Sequence, residues 1–422
     1  MFFRVLSYST IIIFFRLISS FIISKVTAIV LGPSGYALIG NFRNVFQLAV
    51  GISARGFESG AIKHIAEKKD DQNYQVKIIS SLIALSLFIS VFVGVLLFIF
   101  SDVLSQWTLK SKYYSFIFKY LALLMPLISA NFLLLYITNG FQKLKTYTKL
   151  MLLFSVVNVI TTVTSIYYFE LEGACIAICI VSALTLLLSL FIKDVRYIFS
   201  KVLLESKNVS VRIIKSLSIY LVMAIYSTVL ISVTYLLVRN TIISELDETL
   251  AGYWEAMNRI SMFYMVFFTS IFTLYLLPNL SRNKTLKGYN SIIKSYFKRL
   301  IPLVIGLFTL LFLMRFFVIK IVLTEEFLPI RDYFILQLTG DFLKIIGFSL
   351  AYQFHAKQMV AYYFITDAII YLSFYFLSIY LLDILNLEGV FYAHIISCTL
   401  YLFAVSFFIF TKNKNYLSNN EV

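Results

Sequence analysis

In the stretch QLTGDFLKIIGF (337–348), Asp341 and Lys344 stand one helical turn apart within a segment otherwise suited to hydrocarbon. A charge at the bilayer centre costs about 2.5–3.5 kcal/mol on insertion scales, so such residues face a wet cavity or pair with one another. Basic side chains at comparable depth are Arg16, Lys25, Arg43, Arg55, Lys119, Arg259, Arg315 and Lys344, against the acids Glu58, Glu255, Asp341 and Asp367. Local pairing accounts for part of this set. Glu255 and Arg259 are spaced i,i+4, while Arg55 with Glu58 and Asp341 with Lys344 are spaced i,i+3. Lys119 and Arg315 lie near helix ends, where long side chains snorkel. Arg16, Lys25 and Arg43 sit on the first two apolar segments, whose single acid is Glu58. An excess of deep cations suits an anion. Arginine forks two hydrogen bonds to a phosphate, lysine offers a mobile point charge, and a pyrophosphate fits both. Asp341 and Asp367 have three roles open to them: binding a coupling ion, orienting Lys344, or contacting sugar hydroxyls.

The elements that must position these charges follow from composition. The 422-residue chain is 60% hydrophobic, 17% aromatic and 14% charged, with a mean hydropathy of +0.88. Soluble domains carry about 25% charged residues, so this is an all-α polytopic membrane protein. Apolar windows long enough to span about 30 Å of hydrocarbon recur about twelve times. They cover 9–31, 38–62, 78–100, 115–139, 147–169, 172–192, 213–238, 249–277, 299–320, 330–354, 358–381 and 388–411. The first reads as an uncleaved span rather than a signal peptide, because Arg16 and Lys25 interrupt it and no small-residue cleavage site follows. Pro126 falls mid-span in the fourth, where a kink is expected.

Alternate loops hold the basic residues. One side carries Lys63, Lys68, Lys69 and Lys77, then Lys143, Lys145 and Lys149, then the runs Lys193–Lys215 and Arg282–Arg299, and Lys357, Lys412 and Lys414. The other side carries Lys110, Lys112, Arg239, Lys320 and Arg331 among many acids. The positive-inside rule therefore makes both termini cytoplasmic. The net charge of +15 is largely topological and calls for no nucleic acid. LEGACIA (171–177) returns as LEGVFYA (387–393), and GYALIGN (35–41) returns weakly as GYWEAMN (252–258), at nearly equal offsets. An even number of spans separates the copies, which describes a parallel repeat of two six-helix lobes, 1–200 and 201–422, joined around 193–212.

Enzymatic constellations are missing. GISARGFE (51–58) has glycine spacing like a phosphate loop, but Phe57 and Glu58 stand where Lys and Ser/Thr are required. His64 and His355 fall at cytoplasmic helix ends, and His394 reads as polar packing within the bundle. Cys175, Cys179 and Cys398 read as small hydrophobes, and no metal or cofactor is expected. The acidic-side loops are too short for a catalytic domain.

LGPSGYALIGNFRN (31–44), YLLPNLSR (275–282) and QLTGDFLK (337–344) resemble the motifs of Wzx-type flippases for lipid-linked oligosaccharides. That group includes O-antigen translocases and the lipid III flippase of enterobacterial common antigen. It belongs to the multidrug, oligosaccharidyl-lipid and polysaccharide exporter superfamily. The resemblance covers nearly the whole chain. It implies a V-shaped pair of six-helix lobes around a central cavity, in the bacterial inner membrane. The implied activity is alternating-access transfer of undecaprenyl-pyrophosphate-linked oligosaccharide to the periplasmic leaflet. The implied partners are that glycan, membrane lipid, and the polymerase and chain-length machinery of the same pathway, with the chain itself a monomer. Arg16, Lys25, Arg43, Asp341, Lys344 and Asp367 match the group's charged positions, while Arg55, Glu58, Glu255 and Arg259 do not. Further readings are a flippase for another lipid-linked precursor such as that of peptidoglycan, a membrane glycan polymerase or ligase, and a small-molecule cation antiporter.

Overall fold

In hydrocarbon an apolar segment satisfies its backbone N–H and C=O groups by forming a helix. The computed structural model describes residues 2–67, 71–196, 209–276, 279–280, 286–356 and 359–418, and among them there is no strand. Lys68, Lys69, Arg282, Lys357, parts of the 275–282 motif and most of the joining segment lie outside the described residues. The helices are α1 (Phe2–Ser53), α2 (Glu58–Glu67), α3 (Gln72–Ile99), α4 (Ser101–Leu109), α5 (Ser115–Gly140) and α6 (Leu144–Ser189). After the joining segment come α7 (Val211–Glu245), α8 (Glu248–Ile271), α9 (Leu286–Leu313), α10 (Arg315–Val322), α11 (Phe334–Ala356), α12 (Val360–Leu385) and α13 (Leu387–Ser418).

Nine helical stretches among the described residues are long and apolar enough to cross a membrane, fewer than the twelve windows expected. Two of the nine are double. In α1 the chain breaks at Gly32 (φ 59°), just before Pro33, and folds back so that the Ser24 and Tyr36 hydroxyls meet at 2.5 Å. In α6 it breaks at Glu170, and Thr146 near one end reaches Asp194 just beyond the other. Each is therefore an antiparallel pair of arms. The expected 249–277 window falls largely on α8, whose Glu255, Asn258 and Arg259 keep it from qualifying on hydropathy. The 38–62 window is shorter than expected: the helix stops at Ser53, a 3-10 turn covers Arg55–Phe57, and α2 starts at Glu58. Ser86 and Ser129 donate to the Ser53 carbonyl at 3.0 and 2.8 Å, which satisfies a C-terminal acceptor at that break. Pro126, where a kink was expected, lies inside α5 with helical backbone on both sides.

The repeated LEG sequence makes the same structure twice. Glu170 (φ 46°, ψ −121°) and Asn386 (φ 51°, ψ −142°) turn the chain immediately before LEG, in a region that glycine normally occupies. Gly173 then packs on the Ser165 carbonyl and Gly389 on the Leu381 carbonyl, each eight residues back, so closely that a Cβ would lie 1.8 and 2.1 Å from the oxygen.

By packing, the chain divides into a first unit, Met1–Val233, and a second, Thr234–Val422. The sequence reading put the join near 200. The start of α7 belongs with the first unit because Ile213, Leu217 and Leu221 pack in a core with Phe57, Ile65, Leu82, Leu134 and Leu150. In the first unit α1 lies along α6, and α3 along α5. In the second, α13 packs between α11 and α12.

Candidate functional site

The polar residues gather in one cluster in the first unit and two in the second. In the first unit, Arg16 on α1 has Arg55, Glu58 and Tyr147 as electrostatic neighbours. Arg16, Arg55 and Glu58 are exposed, and among the described residues none of the three makes an ion pair within 4 Å. The expected Arg55–Glu58 pairing does not form within 4 Å, although the 3-10 turn over Arg55–Phe57 keeps the two residues one turn apart. The Arg55 guanidinium instead lies 5.2 Å from the centre of the Phe132 ring, a cation–π distance. Two cations and one carboxylate thus leave this cluster positive.

Lys25 and Arg43 lie elsewhere. Nine residues separate Arg16 from Lys25, which is about 14 Å along a helix and half a turn around it. Both Lys25 and Arg43 are partly buried, and Arg43 is an electrostatic neighbour of Cys175 beside the α6 corner. The structure therefore groups Arg16 with Arg55 and Glu58 rather than with Lys25 and Arg43. Lys119 sits 5.9 Å from the Phe98 ring, and Arg315 donates to the Phe312 carbonyl at 2.8 Å.

In the second unit, Arg239 on α7 pairs with Glu255 on α8, and Arg259, one turn beyond Glu255, pairs with its other oxygen at 3.3 Å. The Glu255–Arg259 pair matches the spacing argument. Arg239 corrects it: read as an outer-loop cation, it is 1% exposed and inside α7, which continues past it to Glu245. The signal was the apolar run TII after Asn240, which extends the span beyond residue 238. One carboxylate between two guanidiniums leaves this cluster positive as well. Arg239 also lies 5.3 Å from the Trp254 ring, and Trp254 stacks on Tyr235 and Phe374.

Asp341 begins the second cluster of this unit. It has no exposed surface, so it does not face an open passage as the sequence reading supposed. Its Oδ2 accepts from Ser261 at 2.6 Å, Tyr264 at 2.5 Å and Gln337 at 2.9 Å, and His394 Nε2 lies 3.1 Å from Oδ1. Gly340, the residue before it, has no side chain to obstruct the imidazole: a Cβ there would lie 2.3 Å from His394 Cδ2. Asp341 and Lys344 form no ion pair within 4 Å. Lys344, partly exposed, has Tyr235 as an electrostatic neighbour and lies 5.6 Å from the Phe348 ring. Asp367 is buried on α12, with Tyr371 and Tyr401 as electrostatic neighbours. His394 is polar packing as expected, but its partner, 53 residues away, was not legible. No group of three metal-ligating side chains occurs among the described residues.

A family profile described as "Polysaccharide biosynthesis protein" matches residues 4–284. Lipid III flippases of Escherichia coli (strain K12) and Shigella flexneri are each 24% identical over 346 residues, covering 82% of this chain and 83% of theirs. Among solved structures, an inward-facing multidrug resistance MATE family transporter of the MOP superfamily superposes with a TM-score of 0.77. Its identity is 17%, over 94% of this chain and 96% of its own. Lipid II flippase MurJ, inward closed, superposes with a TM-score of 0.71 at 15% identity, over 96% of this chain and 87% of its own. At these identities the superpositions speak for the fold: this is an all-α, multi-pass membrane protein with the fold of that superfamily.

Proposed function

This chain belongs to the polysaccharide biosynthesis protein family, and from that premise we propose that it is a flippase, not an enzyme, for undecaprenyl-pyrophosphate-linked oligosaccharide. In this reading it moves the lipid from the cytoplasmic to the periplasmic leaflet of the inner membrane by alternating access. It spans the membrane twelve times as two six-helix lobes, with both termini cytoplasmic. It works as a monomer and delivers product to the polymerase and chain-length machinery. The relatives named lipid III flippases, matched along most of both chains, support the substrate class.

The observation that carries the proposal is the surplus of cations in two separate clusters. Arg16 and Arg55 stand with the single acid Glu58, and Arg239 and Arg259 with the single acid Glu255. Taking a pyrophosphate out of water is expensive, and fixed cations offset that cost. Arg259 retains 17% of its side-chain surface, while Arg239 is sealed in. Arg259 is thus the substrate contact of its trio, and Arg239 and Glu255 position it. Arg16 and Arg55 are the corresponding contacts in the first unit, with Lys25, Arg43 and Lys344 as further cations along the route. Asp341, saturated with donors, is a structural centre, and the coupling acid is Asp367 or Glu58.

The test is surface-glycan assembly in cells carrying Arg16→Ala, Arg55→Ala or Arg259→Ala, with protein levels followed by immunoblot. Loss of glycan at normal protein level is expected. Full-length surface glycan in all three strains would remove the anion site. Rescue of a strain lacking its lipid II flippase, but not of one lacking its lipid III flippase, would move the substrate to the peptidoglycan precursor.

A further inference from the structure

A cavity of about 800 Å³ lies within the first unit at the end where α1 begins, α5 turns into α6, and α6 ends. Its polar lining is Tyr8, Gln142, Lys143, Lys145, Thr146 and Asp194. The turn that builds it is held firmly. Gln142 adopts φ 55°, its N–H donates to the Asn139 carbonyl at 2.8 Å, and the Lys143 N–H donates to the Thr138 carbonyl at 3.2 Å. The buried Thr146 hydroxyl donates to Asp194 Oδ2 at 2.5 Å, tying the two ends of the α6 hairpin together across the cavity wall.

The lining carries two cations and one carboxylate, the same balance as the arginine clusters, and adds an aromatic ring and an amide. An aromatic ring, an amide and a carboxylate together suit a sugar. The ring takes the apolar face of a pyranose, and the amide and carboxylate pair with its hydroxyls. The lysines then serve acidic sugars or ring oxygens. The position fits as well. Tyr8 precedes Arg16 by eight residues, about 12 Å along the helix. Tyr147, one turn beyond Lys143, is an electrostatic neighbour of Arg16. The cavity and the Arg16–Arg55–Glu58 cluster thus lie in the same unit, Tyr8 and Arg16 on one helix.

We propose that this cavity is the glycan subsite of the loading state: it holds the oligosaccharide of the lipid-linked substrate while Arg16 and Arg55 hold the pyrophosphate. This rests on the flippase reading above and adds a site that senses sugar. The experiment uses the full-length protein in nanodiscs and two probes, lipid-linked oligosaccharide extracted from the source membranes and sugar-free undecaprenyl pyrophosphate. Tyr8→Ala and Asp194→Asn are expected to weaken binding of the glycan-bearing probe about ten-fold and leave the sugar-free probe within about two-fold. Arg16→Ala is expected to weaken both. Unchanged binding of the glycan-bearing probe by the two cavity variants overturns the subsite while leaving the flippase reading intact. Equal loss of both probes makes the cavity an anion site instead and also overturns it. If the wild-type protein binds neither probe, the flippase reading itself fails. Size exclusion of each variant confirms that it is folded.

Discussion

Replacing Gly389 by alanine places a methyl group 2.1 Å from the Leu381 carbonyl oxygen, 2.4 Å from its carbon and 2.9 Å from the Leu382 nitrogen. All three obstacles are backbone, so no rotamer change relieves the clash. Restoring an ordinary contact requires the α12–α13 arms to separate by more than 1 Å or the corner to be rebuilt. Over-packing typically costs 1–3 kcal/mol, and an unyielding backbone obstacle puts this substitution at about 3 kcal/mol or above. Gly173→Ala repeats the test in the other copy, where the methyl would lie 1.8 Å from the Ser165 oxygen. Gly306 is the internal control. It is inside α9 with nothing within 4 Å of its would-be Cβ, so alanine there gains helix propensity of up to about 1 kcal/mol. The assay is thermal melting of detergent-purified protein, read as the monodisperse fraction after heating. Gly389→Ala and Gly173→Ala are expected to melt several degrees below wild type, and Gly306→Ala at or above it. If Gly389→Ala melts with wild type, or Gly306→Ala falls equally far, the reasoning from close approach is refuted.

Three further outcomes are expected. Glu255→Ala leaves the Arg239 and Arg259 guanidiniums in a largely buried site without their shared carboxylate, a loss of about 3–5 kcal/mol seen as poor recovery of folded protein. Wild-type recovery of that variant would mean the trio does not hold. Asp341→Leu strands the Ser261, Tyr264 and Gln337 donors at about 1–3 kcal/mol each, whereas Asp341→Asn keeps an acceptor oxygen and melts higher than the leucine variant. The reverse order of melting would contradict the network. His64, outside the membrane-spanning stretches and 3.1 Å from the Ser216 hydroxyl, has its pKa lowered by burial. Its neutral form is favoured in the fold, so its contribution is full above the unfolded value of about 6.5 and is lost as pH falls through the lower folded value. Melting curves taken at falling pH should show that slope in the wild type and not in His64→Gln. An identical slope in both would exclude the imidazole as its source.

Much of the fold was legible because span length is a one-dimensional property. Apolar windows and a recurring LEG are visible without knowing what touches what, although the sharp corner before each LEG was not read from it. The contacts between helices were not legible. In α3, α5 and α12 apolar residues surround the whole helix, so no stripe marks the inward face. Facing must then come from rare polar residues whose partners are distant, as with Arg239 and Glu255 sixteen residues apart, or Asp341 and His394 fifty-three. Local spacing found Glu255–Arg259, because that pair needs only a continuous helix. It failed for Arg55–Glu58, where the Arg55 guanidinium lies over the Phe132 ring instead, and for Asp341, which takes Gln337 from its own helix, Ser261 and Tyr264 from α8 and the His394 imidazole from α13.

The corner at Glu170 also bears on how the protein enters its membrane. Its turn is closed by a contact only eight residues long, from Ser165 to Gly173, so it needs no other part of the chain to hold it. The two arms of α6 are thereby tied as one hairpin, with Lys143, Lys145 and Lys149 at one foot and Lys193 at the other. Neither arm can invert alone. Shifting positive charge on one foot should therefore leave the orientation unchanged as long as the other foot retains its own.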